Sequence, residues 1–320
     1  MVNGQLHMLM HKTINMERLK AYYDLLKAPN YIFGALILIK ISLFESTNAA
    51  TALDISSYFL LVFSLLFIAS GGYLINDIHS IQPDKINFPN KPLVQERISV
   101  KQATNIYILF TSIGIILGMY VCYSIGYTSY GMLFIALAAI PYLYATSLKN
   151  TGALGNFVLA TLGFMVFCIP AILDLMPAIT EANQLHQASI FKTLLLYAGF
   201  GFAFTYINSI IANLRTLPGD RKIGVRTMAY QLGFDTTKKI ALISSVIIFI
   251  VLLYSIYNFV DNGKLLAYFV FAVVAPFIYF IIQLIYLKKE KMLNQLNILQ
   301  NILKIVYTTG IISIILLYYF

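Results

Sequence analysis

Charged side chains are scarce in this 320-residue chain, in which Asp, Glu, Lys and Arg together make up 11% and hydrophobic residues 59%. A soluble domain carries about a quarter charged residues. The scarcity therefore excludes an ordinary water-soluble fold and, with a mean hydropathy of +0.79, points to a polytopic membrane protein. Cysteine is nearly absent: Cys122 and Cys168 both fall in apolar stretches without metal-site spacing, so buried thiols are expected in place of a disulfide framework or thiolate metal centre. Tryptophan is missing altogether, and aromatic faces have to come from 23 Phe and 23 Tyr. No linker or low-complexity tract divides the chain, which predicts a single domain over 1–320. No cleavable leader is visible in the polar first 27 residues. Residues 1–30 are read as a cytoplasmic or interfacial segment, with Ile14, Leu19, Tyr22, Leu25 and Leu26 forming the apolar face of an interfacial helix over 14–28.

The apolar residues are gathered into runs. Crossing the hydrocarbon core as a helix takes about 18 or more of them, and nine stretches qualify as candidates: 31–46, 55–75, 104–124, 128–147, 154–175, 190–212, 239–260, 265–287 and 302–320. An all-α bundle of nine transmembrane helices is the predicted fold. The first stretch is short and carries Lys40, expected to snorkel toward the outer surface. With the N-terminus inside, all but Lys40, Lys192 and Lys264 of the 22 Lys and Arg fall on the inner side, as the positive-inside rule requires. The net charge of +9 is then a topology signal plus a candidate anion site, and nothing in it calls for nucleic acid.

Two inner loops are long and polar, and their starts share a pattern. Asp77-Ile-His-Ser80-Ile-Gln-Pro-Asp84-Lys85 aligns with Asn213-Leu-Arg-Thr216-Leu-Pro-Gly-Asp220-Arg221: an amide or acid, a hydroxyl three residues on, an acid seven on, then a base. Four helices separate the copies, so both leave the membrane on the same side, which suggests two four-helix pseudo-repeats with a ninth helix appended. Offsets of 0, 3 and 7 share one helix face. Pro83 limits this in the first copy, because its ring clashes with the carbonyl four residues back; the helix has to kink or end before Asp84. Any one such residue is as readily a solvated helix end as a ligand. The same offsets twice on one side are harder to dismiss. Oxygen ligands suit magnesium, which is commonly bridged to phosphate oxygens, and the surrounding bases suit the remaining phosphate charge.

At these residues the sequence resembles the UbiA superfamily of intramembrane prenyltransferases. Asn76-Asp77, Asp84, Asn87-Phe-Pro89 and Asn90-Lys91-Pro92 follow that family's N-D-x-x-D-x-x-x-D and N-x-P-x-R-P segments. Asp220-Arg221-Lys222-Ile-Gly224-Val-Arg226-Thr227 follows the later part of its second motif, most similar to the branch that includes the digeranylgeranylglyceryl phosphate synthases. "KAPN" at 27–30, "YATSLK" at 144–149 and Gly155-Asn156 agree as well. The departures are Ser80 and Thr216, each in place of a family acid, and Asn213, where many members with glyceryl-phosphate acceptors carry an acid.

The resemblance implies transfer of a prenyl group from an allylic polyprenyl diphosphate to a lipophilic acceptor, a glyceryl-phosphate lipid or an aromatic quinone precursor, at the cytoplasmic face of the cell membrane. It implies Mg2+ as cofactor. Asp77, Asp84 and Asp220 become the catalytic acids, with Asn76, Ser80 and Thr216 as further metal ligands and looser metal binding than the family's usual acids would give. Lys91, Lys149, Arg221, Lys222 and Arg226 become diphosphate ligands, and Asn30, Tyr144, Asn156 and Asn213 substrate-binding residues. Tyr144 is equally read as part of an interfacial belt, and Asn156 as a helix cap. Three alternatives stay open on sequence alone: a catalytically degenerate isoprenoid binder, a prenyl diphosphate cyclase on the same scaffold, and a small-solute transporter. A haem-modifying member fits less well, since His7, His11, His79 and His186 lie outside the predicted membrane helices.

Overall fold

A computed structural model describes residues 30–88, 94, 98–289 and 292–319. The predicted interfacial helix over 14–28, the tail of the first motif from Pro89 to Pro92, Lys91 included, and the side chain of Asn30 lie outside the described residues. Backbone groups in hydrocarbon have no water to bond, so an apolar chain has to satisfy them within helices. The described residues do so. Helix α1 (Asn30–Leu38) runs on into a π-helical segment, Ile39–Glu45. It is followed by α2 (Ile55–His79), the short α3 (Ile81–Asn87), α4 (Val100–Ser124), α5 (Gly131–Thr146) and α6 (Ala153–Pro170). The second half comprises α7 (Gln184–Ile223), α8 (Met228–Phe259, kinked at Gly233), α9 (Gly263–Ile285) and α10 (Met292–Tyr319).

Eight of these helices, counting α5 with the turn before it (Thr128–Thr146) and α6 with its continuation (Ala153–Ala178), are long and apolar enough to cross a membrane. The remaining predicted span, 31–46, corresponds to α1 and its π-helical extension, which is helical but short, so nine is an approximate count. Each long helix packs on the next in sequence, and α10 packs back on α1, which closes the bundle into a ring; α7 also touches α10 across it. Of the four apolar clusters among the described residues, a small one around Leu74 and Ile81 lies at the motif end and three larger ones fill the interior. One, around Leu61, Val121 and Phe134, joins α2, α4 and α5. A second, around Phe277, Phe280 and Leu299, joins α7 to α10. The third, with Phe44, Phe167, Leu194 and Ile314, seams the halves together. Large apolar side chains such as Ile250, Tyr257 and Phe271 point outward, as a surface solvated by lipid requires. Cys122 and Cys168 are buried free thiols.

The helices carrying the motifs are longer than their apolar runs. At 1.5 Å per residue, α7 is roughly 60 Å long, about twice the hydrocarbon thickness. Its apolar run ends at residue 212, so Asn213 to Asp220 form about two turns beyond it. The motif end thereby extends beyond the apolar run.

Lys40 does not snorkel. It is buried, with its Nζ 2.9 Å from Asp174 Oδ2 and 2.9 Å from the Leu53 carbonyl, and it lies over the Tyr58 ring at 5.2 Å. Asp174 in turn accepts from the Leu53 amide at 2.7 Å. The sequence places these partners 134 residues apart, so no local pattern announces the pair. The loop pinned by these bonds leads into α2, whose N-cap Asp54 accepts from the Ser57 amide at 2.9 Å. Hydrogen bonds from Ser56 and Ser57 lower the Asp54 pKa to about 2, so the cap stays charged throughout the physiological range.

Removing one partner of a buried pair strands the other charge, at a cost of about 3–5 kcal/mol, whereas replacing both by apolar groups is often nearly neutral. Asp174→Ala is expected to destabilise the protein by about that amount, and Lys40→Met/Asp174→Leu to recover most of it. Denaturation in mixed micelles measures both.

Candidate active site

Helix α2 stops at His79, with Ser80 as its C-cap. A new helix, α3, starts at Ile81, so Pro83 falls in a first turn, where its missing N–H breaks no bond. The kink-or-stop alternatives posed by Pro83 resolve as a stop. Asp77 and Asp84 consequently stand on different helices, and the 0, 3, 7 face is interrupted in the first copy. In the second copy α7 runs unbroken through Pro218, and Asn213, Thr216 and Asp220 do share a face: Thr216 Oγ1 donates to Asp220 Oδ2 at 2.6 Å.

The two copies meet. Pro218 has no N–H and its ring crowds the turn before it. The next amide, that of Gly219, is donated sideways to Asn87 Oδ1 of α3 at 2.8 Å. A Cβ on Gly219 would run into the Pro83 carbonyl oxygen and the Asn87 side chain, so only glycine permits this approach. Arg215, one turn back on α7, lies over the Phe88 ring at 4.4 Å, bonds Gln300 of α10 at 2.7 Å, and is close enough to Asp84 to feel its charge.

The links between helices complete the arrangement. Helix α7 ends at Gly224 in the left-handed region (φ 87°), which turns the chain back and lets Thr227 Oγ1 donate to Asp220 Oδ2 at 3.1 Å. The α5–α6 link is laced to the α7–α8 link by Asn150, which accepts from the Arg226 amide at 2.9 Å, and by Gln231, which bonds the carbonyls of Asn150 and Arg226 at 3.1 and 2.8 Å. From that link Lys149 Nζ donates to Ser80 Oγ at 2.9 Å, and its charge reaches Asp220.

Asp220 is wholly buried, yet its Oδ1 has no hydrogen-bond partner among the described residues. A buried carboxylate oxygen left open in this way costs free energy unless something positive meets it. The residues fit a hard divalent cation: magnesium is typically held by one or two carboxylates, waters and substrate phosphate oxygens, without an all-protein cage. Among the described residues no three Asp, Glu, His or Cys side chains stand close enough to form such a cage. The acids of the two motifs are therefore not pooled into one cluster.

The sequence model of the UbiA prenyltransferase family matches residues 42–305, a stretch that contains every element of this arrangement. The chain belongs to the UbiA prenyltransferase family. It is 31% identical over 234 residues to the digeranylgeranylglyceryl phosphate synthase of Sulfolobus acidocaldarius, covering 72% of this chain and 76% of that one. It is 27% identical over 219 residues to the synthase of the same name from Methanocaldococcus jannaschii, covering 68% and 69%. Among solved structures, one of a digeranylgeranylglyceryl phosphate synthase superposes with a TM-score of 0.61 at 22% identity, covering 93% of this chain and 99% of that one. A UbiA homologue from Archaeoglobus fulgidus bound to GPP and Mg2+ superposes with a TM-score of 0.57 at 14% identity, covering 94% and 99%. The fold of this UbiA-family protein is thus shared with structures far from it in sequence.

Within the UbiA scaffold, the structure draws together Ser80, Lys149, Thr216 and Asp220, with Tyr144 buried within electrostatic reach of Asp220. Tyr144 is 8% exposed, which does not suit an interfacial belt. Asn156 and Asn213 are buried and bonded to each other at 2.7 Å, and Asn156 also reaches Met228 Sδ at 3.3 Å, so both amides tie α6 to α7 and α8. Asn156 does not cap α6, whose N-cap is Gly152. Asn76 and Asp77 are half-buried and Asp84 buried. Arg221, Lys222 and Arg226 are exposed along the rim. Sequence reading did not assign Asn87, Arg215 and Thr227 to the site. Asn87 and Thr227 both lie within the matched motifs, and that was the available signal; Arg215 carried none beyond its place beside Thr216.

Because two hydroxyls hold one oxygen of a buried carboxylate, losing either strands part of that group, at about 1–3 kcal/mol. Thr227→Val is expected to lower stability by that amount, read from denaturation in mixed micelles.

Proposed function

We propose that the protein transfers a prenyl group from an allylic polyprenyl diphosphate to a glyceryl-phosphate lipid, at the cytoplasmic edge of the cell membrane. The reading is carried by Asp220, a buried carboxylate with one open oxygen beside the Lys149 ammonium, where the two motif ends meet. Breaking the allylic carbon–oxygen bond leaves an allylic cation and a diphosphate, so positive charge fixed in advance lowers the barrier. Mg2+, when bound, supplies Lewis-acid stabilisation of the leaving oxygens. Asp220 would hold it through Oδ1, with Asn76, Asp77, Ser80, Asp84 and Thr216 as further candidate ligands.

The chain's own residues do the rest. Thr216 and Thr227 fix the orientation of the Asp220 carboxylate. Lys149 contributes an ammonium at the junction, and Lys91 is proposed to join it on the diphosphate. Tyr144, buried beside Asp220, presents a ring face suited to a developing carbocation, a contact worth about 0.5–2 kcal/mol. The apolar interior takes the prenyl tail, and Asn30 is a proposed contact at the start of α1. A glyceryl-phosphate acceptor brings its own anion, for which Arg221, Lys222 and Arg226 offer an exposed basic rim. The positive-inside distribution supports the cytoplasmic placement of that rim. The acceptor class is supported by likeness to relatives named digeranylgeranylglyceryl phosphate synthase.

Purified protein given geranylgeranyl diphosphate, Mg2+ and geranylgeranylglyceryl phosphate is expected to form the doubly prenylated lipid and release diphosphate. Asp220→Asn is expected to lower kcat by about 100-fold or more. A product formed only with aromatic acceptors would move the protein to quinone-precursor chemistry; diphosphate released with a hydrocarbon and no acceptor adduct would make it a cyclase.

A further inference from the structure

We propose that Tyr73 holds the acceptor's nucleophilic hydroxyl beside the allylic carbon, and that Tyr31 and Tyr307 complete a phenol-lined slot for the acceptor's polar backbone. The proposal rests on the prenyl-transfer reading above and names the side chains that aim the acceptor.

The stretch "SGGYLIND" at 70–77 decides where Tyr73 points. A Cβ on Gly71 would strike Thr111 Oγ1 of α4, and one on Gly72 would strike Pro141 of α5, so α2 packs on both neighbours through bare backbone. Tyr73, about 100° further round the helix, is turned away from those contacts. Four residues separate it from Asp77, so the two share a face of α2, with Tyr73 about 6 Å deeper in the bundle.

Rings from other helices meet it there. Tyr73 is within electrostatic reach of Tyr31 on α1 and of Tyr307 on α10. The Tyr31 and Tyr307 rings stand edge to face at 6.1 Å, and Tyr307 also meets Phe204 of α7 at 6.5 Å. Side chains of four helices converge in this way in the space the helices enclose. Tyr73 lies deep among them and is nonetheless 50% exposed, so its ring borders a hollow.

The phenol oxygens of Tyr31, Tyr73 and Tyr307 have no hydrogen-bond partner among the described residues. A phenol both donates and accepts, and leaving it idle among apolar side chains costs free energy. A prenyl chain brings it no partner, and the diphosphate belongs to the charged groups one turn nearer the motif end. The substrate group left to meet the phenols is the glycerol backbone of the acceptor, with its free hydroxyl and ether oxygen. At Tyr73 that hydroxyl lies one helical turn from the diphosphate, at the level of the allylic carbon. Tyr73 donates to one lone pair of the hydroxyl oxygen, and the other lone pair forms the new bond to the allylic carbon. The carbon–diphosphate bond breaks, its electron pair leaves with the diphosphate, and the diphosphate takes up the hydroxyl proton. Tyr73 keeps its own proton throughout.

The experiment varies acceptor and donor separately. Full-length protein in nanodiscs is given geranylgeranyl diphosphate, Mg2+ and geranylgeranylglyceryl phosphate. Tyr73→Phe is expected to raise the acceptor KM about two- to tenfold, the loss of one neutral hydrogen bond, and to leave the donor KM unchanged. A larger share of the released diphosphate should then be matched by prenyl alcohol, as water captures the allylic cation in place of a misplaced acceptor. Tyr31→Phe and Tyr307→Phe should shift the acceptor KM in the same direction. An acceptor analogue with hydrogen in place of the free glycerol hydroxyl should bind the unmodified protein more weakly than the acceptor by a similar factor, and should bind the Tyr73→Phe protein no more weakly than the unmodified one.

An unchanged acceptor KM and product partition in a Tyr73→Phe protein of unaltered melting temperature would overturn the proposal. So would equal affinity of the unmodified protein for acceptor and analogue, a comparison that requires no variant to fold. A rise in the donor KM alone would also overturn it, by assigning Tyr73 to the prenyl diphosphate, and would leave the prenyl-transfer reading standing. Unmodified protein that releases no diphosphate and forms no adduct with any acceptor would remove that reading itself, and the acceptor slot with it.

Discussion

A carboxylate buried in a lipid-solvated bundle has to find positive charge or hydrogen-bond donors, since the alternative costs several kcal/mol. The rest of the site follows from how Asp220 meets that requirement. Thr216 and Thr227 satisfy one oxygen and leave the other open. Keeping both donors in reach requires α7 to continue as helix past the apolar run and then to turn back sharply at Gly224. Keeping Lys149 in reach requires the α5–α6 link to be fastened to the α7–α8 link, which Asn150 and Gln231 accomplish. Each of these features lies at the end of a helix, where the backbone is free of the ladder and side chains can be aimed.

The same requirement is met differently at Asp174. There the carboxylate bonds Lys40 and the Leu53 amide directly, and the pair pins the loop entering α2. A closed pair of this kind holds elements together and has no coordination left to offer. Asp220 is the opposite case: its nearby cation, Lys149, is bonded to Ser80 and acts on it only through space. One buried acid is closed and one is open. The difference in partners is the physical ground for reading the first as structural and for proposing chemistry at the second.

Much of this was legible in the sequence. Apolar runs gave the helices because lipid leaves the backbone no other way to satisfy itself. The paired offsets from Asp77 and from Asn213 pointed to one membrane edge, and Pro83 announced a break because a proline's constraints are local. What could not be read was long-range. Lys40 looked like a snorkelling residue because its partner is 134 positions away and its own neighbours are apolar. Asn156 looked like a cap because caps are local features, whereas its actual partners, Asn213 and Met228, come from other helices. Asn87 was visible as a motif residue, but its use as acceptor for the Gly219 amide depends on the approach of two helices that the sequence does not specify.

The repeat itself shows how one pattern can yield two structures. In the first copy Pro83 follows a helix stop and opens the new helix α3; in the second Pro218 lies inside a helix that continues. The first prolines's arm is therefore jointed at Ser80, and the second is a rigid extension of α7. The rigid arm fixes Asp220, and the jointed arm is fastened to it by the Asn87 contact and the Arg215–Phe88 stack. The departure from strict repetition is thus a consequence of where each proline falls relative to a helix end: at a first turn the missing N–H breaks no bond, and inside α7 the amide after it is left to bond across to the other copy.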